Sequence, residues 1–238
     1  MDDRDPDGWE QLLRDTARGG AEQPRRIADL CVRMLEVSGA GISLVSDTGV
    51  RGVICATDEV AMRIEELQLT LGEGPCVDAV RHGGPILVPD LEDPHEVATD
   101  RWPAFMGAAA EAGVRAVFAF PLRIGVISLG AMDLYRDQPG RLSDEQLSGA
   151  LLAAEGAGIA LLATQATSEV EPGGGEPSAG GYDAQVHQAT GMVMVQAGVT
   201  IEQAFLLLRA RAFSSGRALP EVAADVVARR VRFDAEDR

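Results

Sequence analysis

Lysine is absent from the 238 residues, and all 21 basic side chains are arginine, a bias that reads as codon usage more than chemistry. Only three cysteines occur, Cys31, Cys55 and Cys76. They are odd in number and widely spaced, so neither a disulfide framework nor a CxxC metal site is written in the chain. The three histidines, His82, His95 and His187, also lack metal-ligand spacing. No HExxH, GxxxxGK or GxSxG string exists, so the commonest enzyme signatures are missing. No stretch reaches the ~18 uninterrupted apolar residues of a membrane span. The first residues, MDDRDPDGWEQ, are acidic where a leader peptide is basic. The expectation is a cytoplasmic protein that is not an enzyme, with no metal, no cofactor and no membrane contact.

What is present is globular composition, 46% apolar and 24% charged, at a length that fits one or two domains. The net charge of −16 is unevenly spread. Residues 1–181 hold 14 arginines against 30 acids, whereas 184–233 hold 6 arginines against 3 acids. An acidic body repels polyanions at long range, so any nucleic-acid contact belongs in the C-terminal part.

Glu171 to Gly181 reads EPGGGEPSAGG, too rich in glycine and proline for helix or strand, and is expected to be a flexible linker. It divides the chain into an acidic segment 1–20, a first domain 21–168, a linker 169–181, a second domain 182–233 and a tail 234–238.

In the first domain Ile27, Leu30, Cys31, Met34 and Leu35 recur at helical spacing behind Pro24. AGISLVS and VRGVICA flank an Asp47–Thr48–Gly49 turn as an antiparallel hairpin. A short helix is expected over about 58–67, and GEGPCVDAV feeds another that carries Cys76, Val77 and Val80. PILVPDL reads as strand, Pro103 to Ala112 as helix, and VRAVFAFPLR with VISLGAMDLYR as a central hairpin. Ser143 and Gln146 form a capping box that opens a helix running to about Thr167. Its Leu147, Leu151, Ala154, Leu161 and Leu162 are expected on the core side. Ala150, Ala153, Ala157 and Ala160 then offer a small-residue face to a second helix, a route to a homodimer.

The hairpin, the GxGPC-type loop, the RWP motif, the paired strands around PL…GxxSLGAMDLY and the final capped helix together resemble a GAF domain over about 145 residues. The resemblance implies an α+β fold with an antiparallel sheet, dimer-forming helices on one face and a ligand pocket on the other. Gly74, Pro75, Cys76, Arg101, Trp102 and Phe105 are the candidate pocket residues. Trp102 and Phe105 also fit simple packing on the sheet. Cys76, ahead of a helix, could be an activated thiolate or a buried small hydrophobe. A haem or tetrapyrrole would need His82 or His95, which read as solvated turn residues.

The second domain reads as three short helices. Val186, Ala189, Val193 and Ala197 share one face of the first, which ends at Gly198. A Thr200–Gln203 capping box opens the second, with Ile201, Ala204, Phe205, Leu208 and Ala212 at core spacing up to Gly216. The third begins at Pro220 and buries Val222, Val226 and Val227. So small a unit buries little core alone and is expected to dock or dimerise. Arg209, Arg211, Arg217, Arg229, Arg230 and Arg232 form a basic group suited to phosphates and unpaired bases, or to helix-dipole compensation and solvation.

QATGMVM, GVTIEQAFLLLRARA and SGRALPEVAADVV resemble the ANTAR module across the whole second domain. The resemblance implies a dimeric transcription antiterminator that binds tandem hairpins in nascent RNA under a sensor's control. Ala189, Gly191, Met194, Ala204, Leu208 and Ala212 match the family's core positions. Arg209, Arg211, Arg217, Arg229 and Arg230 are the RNA-contact candidates, with RNA polymerase a further possible partner. Thr190 stands where the family carries lysine, and Asp183 where an arginine precedes the first helix. Prolines 172 and 177 with the linker glycines break the continuous helix that joins sensor to output in many relatives. The sensor is therefore expected to act by controlling dimerisation or masking the basic face. The alternative is a signalling module whose three helices dock on a protein without RNA.

Overall fold

The structure is a computed structural model that describes residues 20, 22–46, 49–93, 95, 101–168 and 181–234. Five antiparallel strands, β1 (Gly39–Ser46), β2 (Gly49–Ala56), β3 (Ile86–Val88), β4 (Ala116–Ile124) and β5 (Ile127–Arg136), pair in the order β2-β1-β5-β4-β3. Both expected hairpins form, and β1 joins them by pairing with β5, Ile42 opposite Met132. The 47–48 turn and the linker at 169–180 lie outside the described residues.

Alternation along the strands creates two different faces. Ile42, Phe118, Phe120, Leu122, Met132 and Leu134 point to one side, where α1 (Gln23–Leu35) and α5 (Asp144–Ser168) cover them. Helix α5 starts at the Ser143–Gln146 box, both reciprocal hydrogen bonds being present. The Gln146 amide also donates to the Leu35 carbonyl at 3.0 Å, so one residue caps α5 and closes the C-terminus of α1.

Helix α5 meets the expectation in part: Leu147, Ala154 and Leu161 pack on the core side, but Leu151 and Leu162 do not. Its alanine face, Ala150, Ala153, Ala157 and Ala160, is the buried one, because side chains this small let the helix sit close against the sheet and α1. Leu151 and Leu162 face outward, each 47% exposed. This helix is long and apolar enough to cross a membrane, but half of that window is buried inside the domain.

The other face carries α2 (Glu59–Leu71), α3 (Pro75–His82) and α4 (Pro103–Glu111). Asp58 caps α2 by accepting from the Val60 and Ala61 amides at 2.9 Å, and the Tyr135 hydroxyl donates to the same carboxylate.

The C-terminal unit consists of α6 (Gly181–Ala197), α7 (Ile201–Ser215) and α8 (Leu219–Val227). Both signals of α7 are realised: a complete Thr200–Gln203 capping box, and Gly216 as a left-handed C-terminal stop. Helices α6 and α7 meet at 105°. Val186, Ala189, Val193, Ala204, Leu208, Ala212, Val222 and Val226 close the core, and Phe233 plugs its end.

Candidate functional site

The sheet face beneath α2 and α3 holds a buried polar cluster. The Ser43 hydroxyl donates to the Glu65 carboxylate, and the Gln68 amide donates to Asp133. The Gln68 oxygen in turn accepts the Cys76 N–H at 2.9 Å. Burial, reinforced by the Asp133 charge, pushes the Glu65 carboxyl well above the usual carboxylate range. Burial likewise raises Asp133 to about 7, against the hydrogen bonds from Gln68 and Glu65 that favour its charge. Two enclosed carboxyls in such proximity hold a proton at neutral pH. Asp133 Oδ1 has no hydrogen-bond partner among the described residues.

This cluster decides the state of Cys76. Burial first, then the Asp133 and Glu65 charges, drive its thiol far above the normal value, so the helix N-terminus does not produce a thiolate. Cys31 and Cys55 are pushed up to about 12, also by burial.

The RWP motif is a structural clasp. Asp78 Oδ2 accepts from Arg101 Nε and Nη2 at 3.0 and 2.8 Å and from Trp102 Nε1 at 3.1 Å. Trp102 occupies the N-cap of α4 in a left-handed conformation and cannot cap it with its own side chain. Glu73 Oε1 replaces the cap, accepting from the Ala104 and Phe105 amides at 2.8 and 3.0 Å. Phe105 is fully buried and meets the Trp102 ring edge-on, and Gly74, Pro75 and Cys76 are buried as well. The six pocket candidates thus sit at the α3 and α4 N-termini, which Asp78 and Glu73 tie together, with Cys76 in one apolar cluster and Trp102 and Phe105 in another. His82 and His95 are exposed. Among the described residues no group of three His, Cys, Asp or Glu is arranged to hold a metal ion.

The helical unit is docked on the first domain. Val45, Leu69, Cys76, Val77, Val80 and Ala131 belong to one continuous apolar cluster with the core of α6–α8. Arg209 Nε donates to the Thr70 carbonyl at the end of α2 at 3.0 Å, and the Leu219 amide to the Thr70 hydroxyl at 3.4 Å. Gly72 has a φ of +65°, and a Cβ there would overlap the Arg209 guanidinium. Burial lowers the pKa of Arg209, with the Glu73 charge opposing. Beside this contact is a cleft of about 300 Å³ that Leu67, Leu71, Ala104 and Phe213 help to line. On its rim Glu66 faces Glu221; burial and then that like charge raise the Glu66 carboxyl, while Arg63 opposes.

The remaining arginines are placed unequally. Arg217 donates to Asp225 at 2.7 Å and to Glu221 at 3.3 Å, and Arg230 donates to Asp225 at 2.7 Å. Both are exposed but already paired. Arg211 and Arg229 are exposed without a carboxylate partner among the described residues. Of the six matched core positions, Ala189, Ala204, Leu208 and Ala212 are fully buried and Met194 is partly so. Gly191 differs: a Cβ there would meet nothing within 4 Å. Thr190 is buried, its hydroxyl donating to the Val186 carbonyl at 2.7 Å, so the position usual for lysine points inward. The Asp183 side chain lies outside the described residues.

The docking contact was beyond the reach of sequence reasoning, because Arg209 reads as a surface residue on the flank of an amphipathic helix. The buried Glu65–Asp133 pair was missed too. Its only trace is an acid within the apolar alternation of GAMDLY and two polar residues on the inner face of EELQL.

Among known proteins, the GAF domain family model matches residues 25–162 and the ANTAR domain model matches residues 182–227. No curated protein matches the chain. Among solved structures, the GAF domain of a phosphoenolpyruvate-protein phosphotransferase from Coxiella burnetii is similar at 13% identity and a TM-score of 0.54, over 68% of this chain and 95% of that one. The GAF domain of the Acinetobacter phosphoenolpyruvate-protein phosphotransferase is similar at 12% identity and a TM-score of 0.52, over 71% and 99%. At these identities the likeness is one of fold.

Proposed function

Since the chain belongs to the GAF domain family and carries an ANTAR domain behind it, we propose that it is a transcription antitermination regulator that binds tandem hairpins in nascent RNA. GAF and ANTAR domains are sensor and regulatory domains rather than catalytic ones, and ANTAR is an RNA-binding antitermination module. The observation that carries the reading is the ANTAR match over a capped three-helix unit, in a C-terminal stretch (184–233) that holds 6 arginines against 3 acids.

Control by the sensor is supported by the Arg209–Thr70 contact. Arg209, a candidate for RNA contact, spends its guanidinium on the sensor, and Arg217 and Arg230 spend theirs on Glu221 and Asp225. RNA phosphates compete with each of these partners. A signal that loosens α2 or α4 frees Arg209, and the linker keeps the released unit at high local concentration for return. Homodimerisation uses the exposed Leu151–Leu162 face of α5.

A labelled RNA with two tandem hairpins, titrated with the full chain at low and moderate salt, tests the reading. Binding that weakens steeply with salt, and weakens further in Arg209→Ala with Arg217→Ala, supports it. A second reading, docking on a protein partner without RNA, draws on the apolar contact the unit already makes with its own sensor. Absence of RNA binding at low salt favours that one.

A further inference from the structure

One groove on the helical unit is lined, among the described residues, by that unit alone. It has a volume of about 620 Å³ and runs between α6 and the chain segment that follows α8. Gln188, Gly191, Met192, Val195 and Gln196 of α6 line one side, and Arg229 and Arg232 after α8 line the other. Among the described residues no carboxylate and no sensor residue lines it.

The wall is built. Arg229 adopts a left-handed conformation, φ 59°, at the end of α8, which turns the chain back toward α6. The Arg230 and Val231 amides both donate to the Asp225 carbonyl. Phe233 is buried in the core, and its amide donates to the Gln196 side-chain oxygen at 3.0 Å. A left-handed non-glycine residue is unfavourable and persists only where its surroundings hold it. Asp225 pairs with Arg217 and Arg230, which leaves Arg229 and Arg232 without a carboxylate among the described residues.

Gly191 supplies the independent observation. It lies in the interior of a 17-residue helix, where glycine is the poorest residue after proline. A Cβ at that position would touch nothing within 4 Å, so no packing within the chain explains it. Glycine permits close approach to the helix backbone, and the open space over Gly191 leaves room for it.

We propose that this groove seats an unpaired base of a hairpin loop, flat over Gly191 and Met192, with the Gln188 and Gln196 amides at its edge and Arg229 and Arg232 on the flanking phosphates. Guanidinium groups suit RNA through bidentate phosphate contacts and stacking, and unpaired loop bases are the parts of RNA that proteins read. The groove stays open while the sensor is docked, unlike Arg209. It therefore gives the closed chain a first hold on RNA. This inference rests on the RNA-binding reading and names its site.

The test uses full-length protein and a labelled pool of tandem hairpins with randomised loops. Gly191→Ala is expected to raise the melting temperature, since Ala favours helix and has space. Gly191→Leu is expected to keep the fold and weaken binding roughly tenfold or more. Arg229→Ala with Arg232→Ala is expected to reduce the slope of log affinity against log salt by about 1.4, the single-strand value for two phosphates. Wild-type affinity and salt slope in these variants overturn the groove while leaving the RNA reading intact. Loss of dimer in Gly191→Leu assigns the face to a second copy and also overturns it. If the wild-type protein binds no member of the pool, the parent reading falls as well.

Discussion

Arg209 and Thr70 are 139 positions apart, yet the guanidinium of one closes on the carbonyl of the other at 3.0 Å, where α2 ends and Gly72 leaves room for it. A free helix C-terminal carbonyl is a natural acceptor for a cation. In this protein the cation comes from the ANTAR unit, so the arginine proposed to meet RNA is also the one that joins that unit to the first domain.

Leu71 lies in the cleft beside this contact. Leu71→Arg places a charge against Arg63 and Arg217 and is expected to undock the helical unit. The radius of gyration from solution scattering should rise while the circular dichroism of the helices stays. An unchanged radius would show that the contact does not hold the domains together.

Thiol chemistry gives a second expectation. All three cysteines are held protonated by burial, Cys31 and Cys55 with values near 12 and Cys76 also well above the normal thiol. Ellman's reagent at pH 8 should react slowly with the folded chain and label three thiols in denaturant. Fast labelling of Cys76 in the native protein would restore the case for an activated nucleophile.

The Glu65–Asp133 pair makes stability depend on pH. Both groups keep protons in the folded chain that they lose in the unfolded chain near pH ~4. The unfolded state therefore binds fewer protons at neutral pH. The cluster's contribution is full below about pH 4 and is lost as pH rises through about 7, by up to about 1.4 kcal/mol per pH unit for each proton. Asp133→Asn should flatten denaturant-derived stability between pH 5 and 8. A slope equal to that of the wild type would remove the pair from the account.

Much of the fold is legible locally, because capping and turn signals act over a few residues. Ser143 with Gln146, Thr200 with Gln203, and the hairpin around 47–48 needed no tertiary knowledge. The orientation of α5 was not legible. Alanine and leucine stripes have the same helical period, and only the closeness of the sheet decides that Ala153 and Ala157 go inward. The site was less legible still: Thr190 and Gly191 look like parts of one motif, but one is buried and the other opens on a groove.

That same orientation exposes Leu151 and Leu162, about three helical turns apart, along an apolar surface. Leu151→Glu with Leu162→Glu should convert a dimer into a monomer in sedimentation, with little loss of fold because both side chains are half exposed. A wild-type chain that sediments as a monomer would move dimerisation elsewhere or remove it.

The most direct measurement compares fluorescence anisotropy of one tandem-hairpin RNA, titrated with wild-type protein and with Leu71→Arg at two salt concentrations. If docking restrains an RNA-binding domain, the undocked variant binds about fivefold tighter or more, a typical size for coupling between sites, and both proteins lose affinity steeply with salt. Equal affinities would contradict restraint by the sensor, and no binding by either protein would contradict the RNA-binding account itself.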